Sequence, residues 1–178
     1  MKIELKKIEF SERMSQETNC FVANLYINGK HVGEARNEGF GGPTDYTPTY
    51  SEDKKIFARN MMIIGDAERY CASLPRKQYE FNGHVSEFAQ SLETVIDDLF
   101  TDWLKARYEK KMQGDMKKGI LVGSADCYSM IYWKSYSLEF LCNNKQGREL
   151  VKNKLAELKR EGRPILNTNI PAELYPTE

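Results

Sequence analysis

Long hydrophobic runs are absent from this chain of 178 residues; the longest are a few residues, such as Met61-Met62-Ile63-Ile64. A membrane-spanning helix needs about 20 predominantly apolar residues, so no membrane partner is expected. The opening Met1-Lys2-Ile3-Glu4-Leu5-Lys6-Lys7 alternates charge with hydrophobe and lacks the apolar stretch of a signal peptide, which points to a cytoplasmic protein. Paired cysteines are missing too: Cys20, Cys71, Cys127 and Cys142 are scattered with no CxxC, and reduced thiols are the expected state. Histidine is scarce. His31 and His84 are the two in the chain and neither lies near a cysteine in sequence, so no metal and no cofactor is expected. An excess of one charge is also lacking, with 26 basic and 26 acidic residues. That balance argues against a dedicated duplex-binding module, which carries a basic excess to displace counterions. Distribution qualifies it: residues 51–104 hold 6 basic and 10 acidic groups, and residues 105–178 hold 14 and 9.

Catalytic signatures are absent as well. No GxSxG nucleophile elbow, GxxxxGK[ST] phosphate loop or GxGxxG fingerprint occurs. No catalytic residue is assigned; whether the protein is an enzyme stays open, with the residues leaning against it.

What is present reads as one α+β domain over residues 1–178, with an antiparallel sheet packed against about three helices and a loosely held tail from about residue 171. Met1–Phe10 alternates as a strand with a register change near Lys6-Lys7. Asn19–Ile27 and Lys30–Asn37 flank Asn28-Gly29, whose residues suit the positive φ angles of a type I′ turn, so they form a hairpin. This three-stranded meander is expected to end at a glycine loop. Apolar spacing predicts a first helix over Ser51–Leu74, with Ser51 as N-cap and a kink or close contact at Gly65. A linker spans Arg76–His84, with a short extended piece at Gln78–Phe81 before Asn82-Gly83. A second helix is predicted from Ser86 to about Met112, ended by Gly114, with Phe88, Val95, Leu99, Phe100 and Trp103 on its buried stripe. Later strands are expected at Gly119–Val122, Ser129–Trp133 and Ser137–Leu141. A third helix follows over Gln146–Arg160, with Leu150, Val151, Leu155 and Leu158 inward, and Ile165-Leu166 is expected to add a last short strand.

The loop Gly39-Phe40-Gly41-Gly42-Pro43-Thr44-Asp45-Tyr46 concentrates three of the chain's 12 glycines in four residues. Glycine permits positive φ and close approach of another group. The loop is therefore either a demanding connection or a binding place, such as a backbone nest for an anion. Candidate binding residues are Arg36, Asn37, Gly39, Phe40, Gly41, Gly42, Thr44, Asp45, Tyr46 and Tyr50. Two rival groups stand beside it: the carboxylates Asp97, Asp98 and Asp102, which read as a solvated helix face, and the aromatics Tyr128, Tyr132, Trp133 and Tyr136, which read as strand packing.

The stretch from Leu25 to Thr44, with its hairpin and the Asn37-Glu38-Gly39-Phe40-Gly41-Gly42 sequence, resembles a family of small uncharacterised proteins of phages and bacterial mobile elements. Met1–Phe10, Lys117–Val122 and Arg163–Asn167 are similar as well. The resemblance implies a bacterial host cell as the setting and no particular chemistry. Three functions follow as expectations. The first is a non-enzymatic protein that binds a host protein and inhibits a defence system. The second is a binder of a nucleotide or phosphorylated messenger at the glycine loop, aided by Arg36, Asn37 or Arg59. The third is a nucleic-acid binder using Lys105–Lys118 and the basic third helix. Association of the chain with a second copy of itself is also open.

Overall fold

The computed structural model describes residues 1–81 and 83–176, and its contacts gather into two compact units, residues 1–104 and 105–178. The class is α+β.

The first unit is built on four antiparallel strands in the order β1 (Ile3–Phe10), β2 (Phe21–Ile27), β3 (Lys30–Asn37) and β4 (Asp45–Pro48). The expected register change in β1 is a bulge between Lys6 and Glu9, with Lys7 at φ +51°. Asn28 and Gly29 adopt φ +49° and +78° and close the β2–β3 hairpin. The fourth strand is a correction: Asp45–Pro48 pairs with Gly33–Arg36 of β3 and is not part of an irregular loop. Pro48 and the nearby glycines masked it, but a proline can sit on an edge strand because its missing N–H is not needed there. Close pairing at Gly33 demands glycine, since a Cβ there would run into the backbone carbonyl of Thr47.

Helix α1 (Lys54–Ala72) is capped by Asp53, two residues after Ser51, because the Asp53 carboxylate accepts from Lys55 N at 2.8 Å. Its buried side is Asn60, Ile64, Ala67 and Cys71. Gly65 has open space around it, with nothing nearer than Arg69 at 3.7 Å, so no close approach explains it. The linker is a second hairpin, β5 (Lys77–Phe81) with β6 (His84–Phe88); Asn82 of the expected Asn82-Gly83 turn lies outside the described residues.

Helix α2 runs Leu92–Lys118. Its start moves from Ser86 to Leu92 because Ser91 and Thr94 cap each other reciprocally, Thr94 N donating to Ser91 Oγ at 3.1 Å and Ser91 N to Thr94 Oγ1 at 2.9 Å. Phe88 therefore lies on β6 and is exposed. Gly114 does not end the helix, which continues to a buried Met116. Phe100 is buried, and Val95 and Trp103 pack partly buried against the same core, while Leu99 lies outside that cluster. Phe100 stacks on Phe21 at 4.0 Å and leans on Phe10 and Trp103.

The second unit packs β7 (Gly119–Gly123) and β8 (Tyr128–Tyr132), an antiparallel pair separate from the first sheet, against α3 (Leu138–Cys142) and α4 (Lys145–Arg160). The strand expected at Ser137–Leu141 is helix: Ser137 Oγ accepts from Phe140 N, and Leu138, Leu141 and Cys142 bury at helical spacing. A run this short satisfies both periods. Val151, Leu155 and Leu158 of α4 are buried as expected, whereas Leu150 is exposed. Ile165 bridges Val122, so the last expected strand is a single pairing. The tail expected to be loose is held through Tyr175: Leu174 is buried and the Tyr175 hydroxyl donates to Asn167 O at 3.0 Å. Cys71 and Cys142 are buried, Cys20 is half-buried and Cys127 is exposed; none of the four is in a disulfide.

Candidate functional site

The glycine loop leaves β3 at Asn37 and re-enters the sheet at β4. Gly39 has φ +87°, and a Cβ on it would strike the backbone carbonyl of Met14 and approach Cys20 Cβ to 2.9 Å. Only glycine fits that position. The Gly39 carbonyl in turn accepts from the backbone N–H groups of Gln16 at 2.9 Å and Glu17 at 3.0 Å, which ties the polar segment before β2 to the loop. Gly41 also has φ +87°, facing the Glu17 carboxylate, and Gly42 faces open space.

Asn37 organises the turn from within. It is 8% exposed. Its Oδ1 accepts from Gly39 N at 2.9 Å and from the Thr18 hydroxyl at 2.7 Å. Its Nδ2 donates to Gly42 O and to Thr44 Oγ1, both at 3.1 Å. Thr44, itself buried, donates its hydroxyl hydrogen bond to Asp97 Oδ1 at 2.6 Å, and its N–H donates to Glu93 Oε1 at 3.2 Å. Gly41 N donates to Thr18 Oγ1 at 3.2 Å. The chain Thr18–Asn37–Thr44–Asp97 thus joins the loop to helix α2.

Sequence reasoning set this acidic helix against the loop as a rival; the structure makes one of its carboxylates part of the same cluster. Asp97 faces the loop, and Asp98 pairs with Lys77 Nζ at 2.5 Å, so these two do not form a common solvated face with Asp102. Sequence reasoning does not single out Thr18 or Glu93 as site residues, and it places Asp97 in the rival group and not with the loop. Glu93 and Asp97, at i and i+4 beside the stripe of Leu92, Ile96 and Phe100, were the signal that could have found them.

A cleft of about 300 Å³ opens beside the loop, between Glu17, Asn37, Thr44, Glu93 and Asp97, with Phe100 in its wall. Burial raises the Asp97 carboxyl above the ordinary carboxylate range; the Thr44 hydroxyl opposes this, and the nearby Glu93 and Asp98 add to it. The electrostatics do not suit an anion. Three loop N–H groups, those of Gly39, Gly41 and Thr44, already donate inside the protein, and the cleft carries carboxylates. A phosphate nest needs consecutive free donors and a positive field, and here three donors are taken and the neighbouring side chains are carboxylates.

The other candidates divide by exposure. Phe40 is 57% exposed and Tyr50 81%. Arg36 is exposed and paired with Glu38, and Asp45 is exposed. Tyr46 is a structural tie: its hydroxyl donates to Glu68 Oε1 at 2.8 Å, and burial, then Glu68, push its pKa up to about 12. Arg59 lies exposed on α1. His31 packs beside Tyr26 at 5.1 Å. Among the described residues no group of three or more His, Cys, Asp or Glu side chains is placed to hold a metal, and no helix is long and apolar enough to cross a membrane.

Comparison with known proteins finds no matching family model, no matching curated protein and no matching solved structure.

Proposed function

We propose that the chain is a non-enzymatic cytoplasmic protein of a phage or other bacterial mobile element that binds a host protein, such as a component of a defence system, through the outer face of the Gly39–Tyr50 segment. One observation carries the reading: Phe40 stands 57% exposed on a loop whose backbone is already tied by Asn37, Thr18 and Thr44. An aromatic anchor on a pre-ordered loop loses little conformational freedom on binding. Tyr50 extends the apolar contact, and the carboxylates of the cleft suit a partner with lysine or arginine beside its apolar pocket. The mobile-element setting rests on the resemblance of Leu25–Thr44 alone.

The nucleotide reading ranks lower, because three of the loop donors are occupied and the neighbouring charges are negative. The experiment compares the wild-type chain with a Phe40→Ser, Tyr50→Ser double variant as baits in bacterial host cells. Co-purifying proteins are identified by mass spectrometry, and the strongest is rebound in purified form. A partner lost at least tenfold by the double variant at unchanged melting temperature supports the proposal. Undiminished binding would remove this loop from the interface. A thermal shift with a nucleotide library, abolished by Arg36→Ala, would replace the proposal with the small-molecule reading.

A further inference from the structure

Among the described residues of the second unit, one edge of strand β8 has no strand paired with it. Strand β8, Tyr128-Ser129-Met130-Ile131-Tyr132, pairs with β7 on one side. The direction of its remaining backbone groups follows from β7. On the side away from β8, Gly123 N donates to Pro164 O, Leu166 N donates to Leu121 O, and Asn167 takes Leu121 N on its Oδ1 and Gly119 O on its Nδ2. Gly119, Leu121 and Gly123 therefore point outward from the pair, and Ile120 and Val122 make the ladder bonds to Ile131 and Ser129. By the same alternation, Met130 and Tyr132 direct their N–H and C=O groups to the open side. Neither has a backbone partner there among the described residues.

Exposed edges are normally blunted by charge, proline, bulges or brevity. The first sheet obeys this at both ends: β1 carries Lys6, Lys7 and a bulge, and β4 is four residues long with Asp45 and Pro48. Strand β8 has no charged residue, no proline and an unbroken register. Beside it, a groove of about 530 Å³ runs between Ile131–Trp133 and the flank of α4 formed by Leu150, Asn153, Lys154, Glu157 and Arg160. Lys154 is neutralised by Glu157 at 2.6 Å, but Lys134 and Arg160 have no carboxylate partner among the described residues. Residues 105–178 as a whole hold 14 basic against 9 acidic groups.

We propose that β8 accepts an extended acidic peptide from a partner protein as a third strand. The peptide backbone pairs with Met130 and Tyr132, alternate apolar side chains lie against Trp133 and Leu150, and its carboxylates meet Lys134 and Arg160. This site is separate from the one proposed at Phe40 and Tyr50.

The 178-residue chain is titrated with three fluorescent probes. One is a capped peptide alternating glutamate and valine, about nine residues long; the others are its lysine–valine twin and an oligothymidylate of about twelve nucleotides. The acidic peptide should bind best and slow amide exchange at Met130 and Tyr132. Met130→Pro removes one outward N–H while leaving the β7 ladder, and should weaken binding about tenfold. If that variant melts early, Lys134→Glu with Arg160→Glu answers instead, by reversing the preference between the two peptides. Phe40→Ser with Tyr50→Ser should leave peptide binding unchanged. Equal binding of both peptides, no binding of the acidic one, or tightest binding of the oligonucleotide would each overturn the proposal. So would a wild-type dimer that Met130→Pro converts to monomer, since the edge would then serve a second copy.

Discussion

Each unit has a buried asparagine that fastens a backbone turn, Asn37 in a unit of net negative charge and Asn167 in one of net positive charge. Asn37, 8% exposed, fastens the glycine loop of the first unit. Asn167, 7% exposed, fastens the strand end of the second: its Oδ1 accepts from Leu121 N at 2.6 Å, and its Nδ2 donates to Gly119 O and Asn169 Oδ1. An amide side chain has two donors and an acceptor in one plane, so it can replace several ladder bonds where the backbone turns away from a sheet. Around Asn37 the residues are acidic, and residues 1–104 hold 12 basic and 17 acidic groups, a net −5; residues 105–178 are +5. A chain of zero net charge therefore divides into two units of opposite net charge. The neutral total describes neither. The cores differ as well, the first around stacked aromatics and the second around leucine and valine.

The core contrast can be broken by truncation, where the largest effects are expected. Phe100→Ala should cost about 3–5 kcal/mol and Leu155→Ala about 2–5 kcal/mol in urea unfolding. A loss below about 1 kcal/mol at either site would mean that its unit is held by something other than the core described.

The asparagine comparison is sharpened by Asn37→Ala and Asn167→Ala. Each leaves buried partners unsatisfied and should cost about 1–3 kcal/mol, measured as a shift of the denaturation midpoint. If Asn37→Ala is neutral while Asn167→Ala is not, only the second asparagine is a structural fastener.

Gly114→Ala should stabilise by about 1 kcal/mol, because the glycine sits inside α2 with nothing within 4 Å of an added Cβ. Gly39→Ala should do the reverse, since its φ is positive and Met14 O blocks the space. Thermal melts of the two variants should move in opposite directions.

The smallest effect concerns pH. Burial raises Asp97, so the folded state disfavours its charge more than the unfolded chain does. The favourable contribution is complete below the ordinary carboxylate range and is lost as pH rises through the raised value. Asp97→Asn keeps an acceptor for Thr44 and should raise the melting temperature at neutral pH, with the gain shrinking as acid is added. A gain that grows in acid would contradict the assignment.

Sequence periodicity was enough for the α+β class, the β2–β3 hairpin, the bulge at Lys6-Lys7 and the inward face of α4, because each has a local cause. Elements decided by tertiary contact were not legible. Strand β4 depends on pairing with β3, α3 on a five-residue run that fits two periods, and the end of α2 on burial of Met116. At the candidate site, the glycines announced a demanding turn, and Gly39 has that demand. Their sequence did not reveal that Asn37 and Thr44 face inward, or that Asp97, 53 residues beyond Thr44, completes the cluster.

Cys127 ends the turn before β8 and is exposed, while burial pushes the Cys71 and Cys142 thiols up and shields them. Nature has thereby left a chemist's handle beside the open edge. Under native conditions a maleimide dye should modify Cys127 first, with half-buried Cys20 slower. An environment-sensitive fluorophore placed there would report on events at β8 without any substitution in the strand itself.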